Sequence, residues 1–315
     1  MPHINTILHG DVLDKLKELD DCSVQCVVTS PPYWGLRDYG TDKQLGLEET
    51  PELYVENMVK VFREIKRVLK KDGTVWLNLG DSYSSGSGGY DDKYMHNSTS
   101  GTPSEGVRKS VSASKPFGLP TKNLVGIPWR VAFALQSDGW YLRQDIIWHK
   151  PNPMPEPVTD RCTKSHEYIF LLTKSAKYFY DNDAVREPVA ESSIGRLNQN
   201  IDQQVGTTRA NGGKKSNGNL KAVGDIEKGR NKRSVWTITT KPYKEAHFAV
   251  FPPKIPELCI KAGSKEGDIV LDPFFGSGTT GEVAERFGRD YIGIELNEGY
   301  KPLQQKRCAQ MGLRI

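Results

Sequence analysis

Two short runs in the chain combine carboxylates, glycines and prolines at spacings that suit a ligand site. The first is D-I-V-L-D-P-F-F-G-S-G-T-T-G, Asp268 to Gly281. It reads as a buried strand, an acidic residue at its carboxyl end, a glycine turn and a helix starting near Thr279. Ligands of open α/β sheets bind at that end of the strands. Gly276 and Gly278 let backbone approach a ligand closely, and the helix N-terminus offers free N–H groups. A phosphate loop of the G-x-x-x-x-G-K-[ST] kind needs a lysine that is missing here, which argues against an NTPase. Glu295 ends the next strand, Y-I-G-I-E-L-N, about 20 residues on, where a carboxylate accepts both hydroxyls of a ribose. A surface Glu at the start of the last helix is the competing reading. Asp272 would repel a pyrophosphate but pairs with a cationic ammonium group, so S-adenosylmethionine is favoured over a nicotinamide dinucleotide.

The second run is T-S-P-P-Y, Thr29 to Tyr33. Two prolines fix their backbone angles and supply no N–H, leaving rigid carbonyls that suit an amino group. Tyr33 adds a flat face on which a planar base can stack. A tight turn that merely ends a strand is the alternative.

Strand and helix patterns alternate around both runs, the mark of a sheet covered by helices. Val24 to Thr29 reads as a buried strand. Val55, Met58, Val59, Phe62, Ile65 and Leu69 recur at helical spacing, with Asp72-Gly73 as the stop before a strand over Thr74 to Leu79. Val125 to Leu135 reads as a helix with Pro128 in its first turn, and Tyr141 to Trp148 and Glu167 to Thr173 as strands. After Pro253 the expected order is helix (Ile255 to Ala262), strand (Ile269 to Leu271), helix (Thr279 to Phe287), strand (Tyr291 to Ile294) and a last helix to about Met311. Two stretches lack periodicity. Ser82 to Lys122 is rich in Gly and Ser and reads as a surface loop or a lid. Arg186 to Glu245 is a solvated linker or a polyanion-binding lobe.

The 315 residues allow one large α/β domain with an inserted lobe, or two domains. No apolar run approaches the roughly 18 residues that span a bilayer, and the start M-P-H-I-N-T-I-L-H-G-D lacks the basic and apolar regions of a signal peptide. A soluble, cytoplasmic protein is expected. The five cysteines, Cys22, Cys26, Cys162, Cys259 and Cys308, are scattered with no C-x-x-C pair, so neither a disulfide framework nor a zinc site is expected. Net charge is only +4, but residues 186 to 245 hold twelve Lys and Arg against six Asp and Glu. The positive charge is concentrated in one segment.

T-S-P-P-Y-W at 29 to 34 and D-P-F-F-G-S-G-T-T at 272 to 280 together resemble the amino-group DNA methyltransferases, which make N4-methylcytosine or N6-methyladenine. G-D-V-L-D-K-L near the start, W-H-K-P-N at 148 to 152 and H-F-A-V-F-P-P-K before the cofactor strand extend the resemblance over most of the chain. With the catalytic motif first and the cofactor motif second, the order resembles the permuted beta class. The resemblance implies a Rossmann-like α/β methyltransferase sheet, circularly permuted, with an inserted target-recognition region. Its parts would be 1–185 (with a mobile loop at 82–122) and 246–315 for the catalytic domain, and 186–245 for recognition of the target.

The same resemblance gives Asp272, Phe274, Gly276, Gly278 and Thr279 to the methionine end of S-adenosylmethionine, Glu295 to its ribose and Asp11 to its adenine, although G-D before a helix is also a plain N-cap. Ser30, Pro31, Pro32 and Tyr33 become the catalytic tetrapeptide. Trp34, His149, Lys150 and Asn152 become base or phosphate contacts, with an ordinary core Trp the alternative for Trp34. No Cys follows a Pro, so no covalent thiolate adduct is expected, and no metal. Ser in the first position of the tetrapeptide is associated in that family with N4-cytosine, Asp or Asn with N6-adenine. The expected activity is therefore base-flipping N4-cytosine methylation of double-stranded DNA, in a monomer or homodimer, within a restriction-modification system of a prokaryote or phage. A companion endonuclease is left open. An N6-adenine enzyme, a methyltransferase for RNA or a small molecule, and a catalytically silent DNA-binding module are the alternatives.

Overall fold

The computed structural model describes residues 4–36, 38, 40–41, 43–84, 119–189, 194, 228–240 and 251–309. Most of the Gly/Ser-rich stretch and of the basic segment, the H-F-A-V part of the motif before the cofactor strand, and Met311 lie outside these residues.

In chain order the elements are β1 (Thr6–His9), α1 (Val12–Lys17), β2 (Val24–Thr29), α2 (Pro51–Val68), β3 (Leu69–Leu79), α3 (Ile127–Ser137), β4 (Tyr141–His149), β5 (His166–Thr173) and β6 (Val235–Thr237). They are followed by α4 (Lys254–Gly263), β7 (Ile269–Asp272), α5 (Thr279–Arg286), β8 (Asp290–Glu295) and α6 (Lys301–Ala309). The strands form one sheet in the order β1-β8-β7-β2-β3-β5-β4-β6. β5 alone among these eight strands runs against its neighbours. This is the α/β sheet that the sequence implies, with N-terminal β1 paired to β8 near the C-terminus.

Every residue of β2 is buried, as a central strand covered on both faces requires. On one face Val27 joins a core built with Met58, Phe62 and Ile65 of α2, Val131 and Leu135 of α3, and Leu16 of α1. On the other, Cys26 lies against α4, where a side chain at Gly263 would come within 2.4 Å of Thr74 Oγ1 and 2.9 Å of Cys26 Sγ. α2 starts on a Thr50 cap, whose side chain accepts from the Leu53 N–H, with Pro51 in its first turn. It ends earlier than its periodicity suggests. Leu69 is already extended (φ −69°, ψ 135°) and pairs with Val24, so Asp72-Gly73 lies within β3, beside a register shift.

Two strands escaped the sequence reading, β1 and β6. β6 falls inside the basic stretch, where it pairs with β4 as an edge strand. The chain divides into two compact units, residues 1–179 with 235–315, and 180–234. In the second, Glu187 and Arg230 form an antiparallel bridge, and the Glu187 carboxylate is paired with Arg230 (3.0 Å) and Lys232 (3.3 Å). No helix among the described residues is long and apolar enough to cross a membrane.

Candidate functional site

The carboxyl ends of β1, β2, β3, β4, β7 and β8, with the start of β5, open into one cavity of about 1000 Å³ in the first unit. This is where the connections of a mainly parallel sheet leave a crevice. All but three of the residues singled out from the sequence line it.

At the β1-β8-β7 end the wall carries carboxylates. Asp272 is 2% exposed. Its Oδ1 accepts from Thr29 Oγ1 (2.7 Å) and the Phe274 N–H (3.1 Å), and its Oδ2 accepts from Thr280 Oγ1 (2.6 Å). Burial outweighs these bonds and pushes its pKa up to about 6. Both oxygens are thus engaged by protein donors, Oδ1 by two and Oδ2 by one, and the carboxylate presents negative charge to the cavity. Glu295 is also buried, and burial raises its pKa. Each of its oxygens takes one backbone N–H, Oε2 from Gly276 (2.7 Å) and Oε1 from Asn297 (2.8 Å), which leaves acceptor capacity on both. The glycine turn is held from behind as well, Gln304 of α6 donating to the Gly276 carbonyl at 2.7 Å. Gly276 (φ +52°) and Gly278 (φ +90°) occupy the left-handed region that the turn requires. Gly278 is the N-cap of α5 and sets the turn without lining the cavity.

Asp11 is the N-cap of α1, its Oδ1 accepting from the N–H groups of Leu13 (2.9 Å) and Asp14 (3.2 Å), and it lines the cavity too. The lysines that line the cavity, Lys43, Lys150 and Lys164, come from other connections than those of β1, β7 and β8. Arg307 of α6 bonds to Ser277 and Thr279 of the turn but does not itself line the cavity, so among the described residues the charged side chains that line this end are the three carboxylates, which fit a cationic nucleoside better than a pyrophosphate.

The Ser30 to Tyr33 run forms the adjoining wall. Tyr33 is set by its neighbours: a side chain at Gly80 would come within 2.6 Å of the ring's Cε2, and the phenol donates to Glu167 Oε2 at 2.7 Å. Burial first, and then Glu167, push the phenol pKa well above 10, so Tyr33 keeps its proton. Ser30 Oγ donates to Tyr33 Oη at 3.2 Å, and the Pro32 carbonyl accepts from Tyr54 Oη at 2.9 Å. Lys150 lines the cavity in an ion pair with Glu167, its ammonium 4.3 Å from the Trp148 ring centroid. Asn152 lines the cavity and pairs with Thr240, accepting from its N–H at 3.1 Å.

Trp34 and His149 stand apart. Trp34 is 3% exposed within the core, its Nε1 donating to the Glu48 carbonyl at 2.9 Å, so the core reading of this residue is the one the packing realises. His149 Nδ1 meets Thr237 Oγ1 at 3.2 Å on the β4-β6 edge.

Among the cavity residues that went unnoticed in the sequence are Asn78, Asp81, Lys164 and Glu167. Asp81 Oδ1 accepts from the N–H groups of Gly126 (2.9 Å) and Ile127 (3.0 Å), which fixes the start of α3. Lys164 Nζ donates to the Asp81 carbonyl at 2.6 Å, and burial lowers its pKa. The signal that was there to read is a polar H-E pair opening the apolar strand β5.

The chain has relatives among known proteins that bear on this geometry. The family model described as "DNA methylase", N6_N4_Mtase, matches residues 24–306. The chain is 48% identical over 303 residues to the type II methyltransferase M.XycI of Xanthomonas campestris pv. cyanopsidis, covering 96% of this chain and 87% of that protein. Among solved structures, the PvuII DNA methyltransferase, titled cytosine-N4-specific, aligns with a TM-score of 0.64 at 20% identity over 98% of this chain and 87% of that one. TTHA0409 of Thermus thermophilus, solved with S-adenosyl-L-methionine, aligns with a TM-score of 0.58 at 23% identity over 98% and 96%.

Proposed function

The chain belongs to the N6_N4_Mtase family of DNA methylases, S-adenosylmethionine-dependent enzymes that methylate exocyclic amino groups, and from that premise we propose that it methylates N4 of a cytosine flipped out of duplex DNA. The observation that carries this reading is the continuity of the cavity, which Ser30-Pro31-Pro32-Tyr33 and the Asp272 and Glu295 carboxylates line together.

S-adenosylmethionine supplies a methyl group on a cationic sulfonium. Asp11, Asp272 and Glu295 hold it, Glu295 taking the ribose hydroxyls with its remaining lone pairs, Asp272 supplying negative charge from beneath the turn, and Asp11 facing the adenine. Phe274, Gly276, Gly278 and Thr279 shape the methionine end. An exocyclic amino nitrogen has its lone pair delocalised into the ring, and it attacks a methyl sulfonium well only when acceptors draw its N–H groups out of that conjugation. The Ser30 hydroxyl and the Pro31 carbonyl are those acceptors, while Tyr33 supports the base by stacking. In-line attack makes the N–C bond and is followed by loss of one amino proton.

A hydroxyl rather than a carboxylate at position 30 favours cytosine in the family to which the chain belongs. Lys150 and Asn152 contact the base or its flanking phosphates. Residues 1–185 and 246–315 form the catalytic body and 186–245, with their surplus of basic residues, engage the DNA. The relative is named a type II methyltransferase, and the matching reading for this chain is a cytoplasmic enzyme of a restriction-modification system, with a companion endonuclease left open.

Expression in a host without methylation of its own, followed by nucleoside mass spectrometry and modification-sensitive sequencing, tests the reading. N4-methylcytosine at one sequence context is expected. N6-methyladenine would overturn the choice of base, and unmodified DNA with intact duplex binding would favour a silent binding module.

A further inference from the structure

Glu167 stands behind the tetrapeptide at the start of β5, 134 residues from Tyr33 in the chain. Three donors converge on its carboxylate. Tyr33 Oη donates to Oε2 at 2.7 Å, Asn78 Nδ2 donates to the same oxygen at 3.0 Å, and Lys150 Nζ donates to Oε1. All three partners donate, which suits a carboxylate as the common acceptor. It is also well enclosed, with side-chain exposures of 14% for Glu167 and 19% for Lys150. The chain of bonds extends outward, because Ser30 Oγ donates to Tyr33 Oη at 3.2 Å. Ser30 has therefore spent its own proton on Tyr33, and its lone pairs are left for a ligand in the cavity that it lines.

We propose that Glu167 supplies, through Tyr33 and Ser30, the negative charge that a serine at the first tetrapeptide position lacks, and that the same hydrogen-bonded chain carries the amino proton away after methyl transfer. The inference rests on the reading above, in which Ser30 takes an N–H of the target base. Hydrogen bonds in series polarise one another, so an anion at the end of Ser30–Tyr33–Glu167 makes the Ser30 oxygen a stronger acceptor than an isolated hydroxyl. As the nitrogen lone pair forms the N–C bond, the C–S electron pair leaves with sulfur. The N–H bond then breaks, its electron pair returning to nitrogen. Its proton passes to Ser30 Oγ, the Ser30 proton to Tyr33 Oη and the Tyr33 proton to Glu167 Oε2. Ser30 and Tyr33 end neutral but with their O–H bonds turned the other way, and both rotate back to the starting directions once Glu167 has released its proton to solvent. Glu167 touches no reacting atom and acts as a positioning and relay residue, with Lys150 paired to its other oxygen.

The test is single-turnover methyl transfer by the full chain on the duplex identified by sequencing, with affinities for S-adenosylmethionine and duplex measured separately. Tyr33→Phe removes one oxygen atom and keeps the ring, and Glu167→Gln removes the charge at constant shape. Each is expected to slow the transfer step at least tenfold while both affinities stay within about twofold. The double variant is expected to be no slower than the slower single one, because both cut the same chain. A solvent isotope effect on the wild-type step should be lost in Tyr33→Phe. A full rate in Tyr33→Phe, or additive losses in the double variant, would overturn the relay. So would Lys150→Met reproducing the Glu167→Gln loss while Tyr33→Phe transfers normally. Ser30→Ala separates the two levels: if it transfers at full rate, the assignment of Ser30 itself is wrong, whereas a slow Ser30→Ala beside fast Tyr33 and Glu167 variants leaves that assignment standing and removes only the relay.

Discussion

Replacing Asp272 by Asn should stabilise the ligand-free protein and weaken its cofactor binding, and both effects should grow as the pH rises through about 6. The carboxyl group titrates near 3.8 when exposed and at about 6 in the fold because it is buried. A pKa raised by folding means that the native state binds the proton more tightly than the unfolded chain. The stabilisation is therefore complete below about pH 4 and is lost as the pH rises through about 6. The shift corresponds to about 3 kcal/mol. The amide introduced by Asp272→Asn would mimic the protonated acid: its oxygen accepts from Thr29 and the Phe274 N–H, and the Thr280 hydroxyl can turn toward the Val28 carbonyl, 3.5 Å away. Asp272→Asn should therefore melt several degrees above the wild type at pH 8 without ligand, the difference closing towards pH 4.

Cofactor affinity should move the other way, since the sulfonium charge is permanent and the carboxylate must be ionised to attract it. At pH 5 about a tenth of Asp272 is ionised, so wild-type affinity should fall about tenfold between pH 7 and pH 5, or about 1.4 kcal/mol. The variant should bind weakly, with a profile much flatter over that range. Thermal melts and titration calorimetry from pH 5 to pH 8 read both quantities. A variant that is less stable than wild type at pH 8 and retains full cofactor affinity would refute the reasoning.

Gly80→Ala would place a methyl carbon 2.6 Å from Tyr33 Cε2 and rotate the ring off its support; methylation should fall at least tenfold in a steady-state assay while cofactor affinity is unchanged. Gly293→Ala would put its methyl 2.5 Å from Phe275 Cγ in the buried strand β8, a clash worth about 1–3 kcal/mol that denaturant unfolding should register. With twelve basic residues between 186 and 245, duplex affinity measured by fluorescence anisotropy should fall by a factor of roughly 10³ between 50 and 200 mM salt. A flat dependence would remove that segment from the DNA contacts.

What was legible in the sequence is what lies within one connection. D-P-F-F-G-S-G-T and S-P-P-Y each occupy a single strand-ending turn, so the residues that face a ligand are covalent neighbours and their spacing carries meaning. The residues that tune them come from strands adjacent in the sheet and remote in the chain. Thr29, which holds Asp272, is 243 residues away from it, so nothing local to the cofactor motif reveals that both carboxylate oxygens are already engaged. β1 is four half-buried residues that gain their identity by pairing with β8, and β6 is three residues in an aperiodic stretch. Neither is long enough to show a period.

The same distance limits how a base preference is read from the first letter of the tetrapeptide. A serine there is a weaker acceptor than an aspartate only while its own environment is neutral. In this chain the hydroxyl is two hydrogen bonds from the Glu167 carboxylate, so on the proposed reading the charge at the amino site would belong to the Ser30–Tyr33–Glu167 set and not to position 30. Acceptor strength then ceases to separate cytosine from adenine, and the discrimination must lie in how the cavity walls fit the ring.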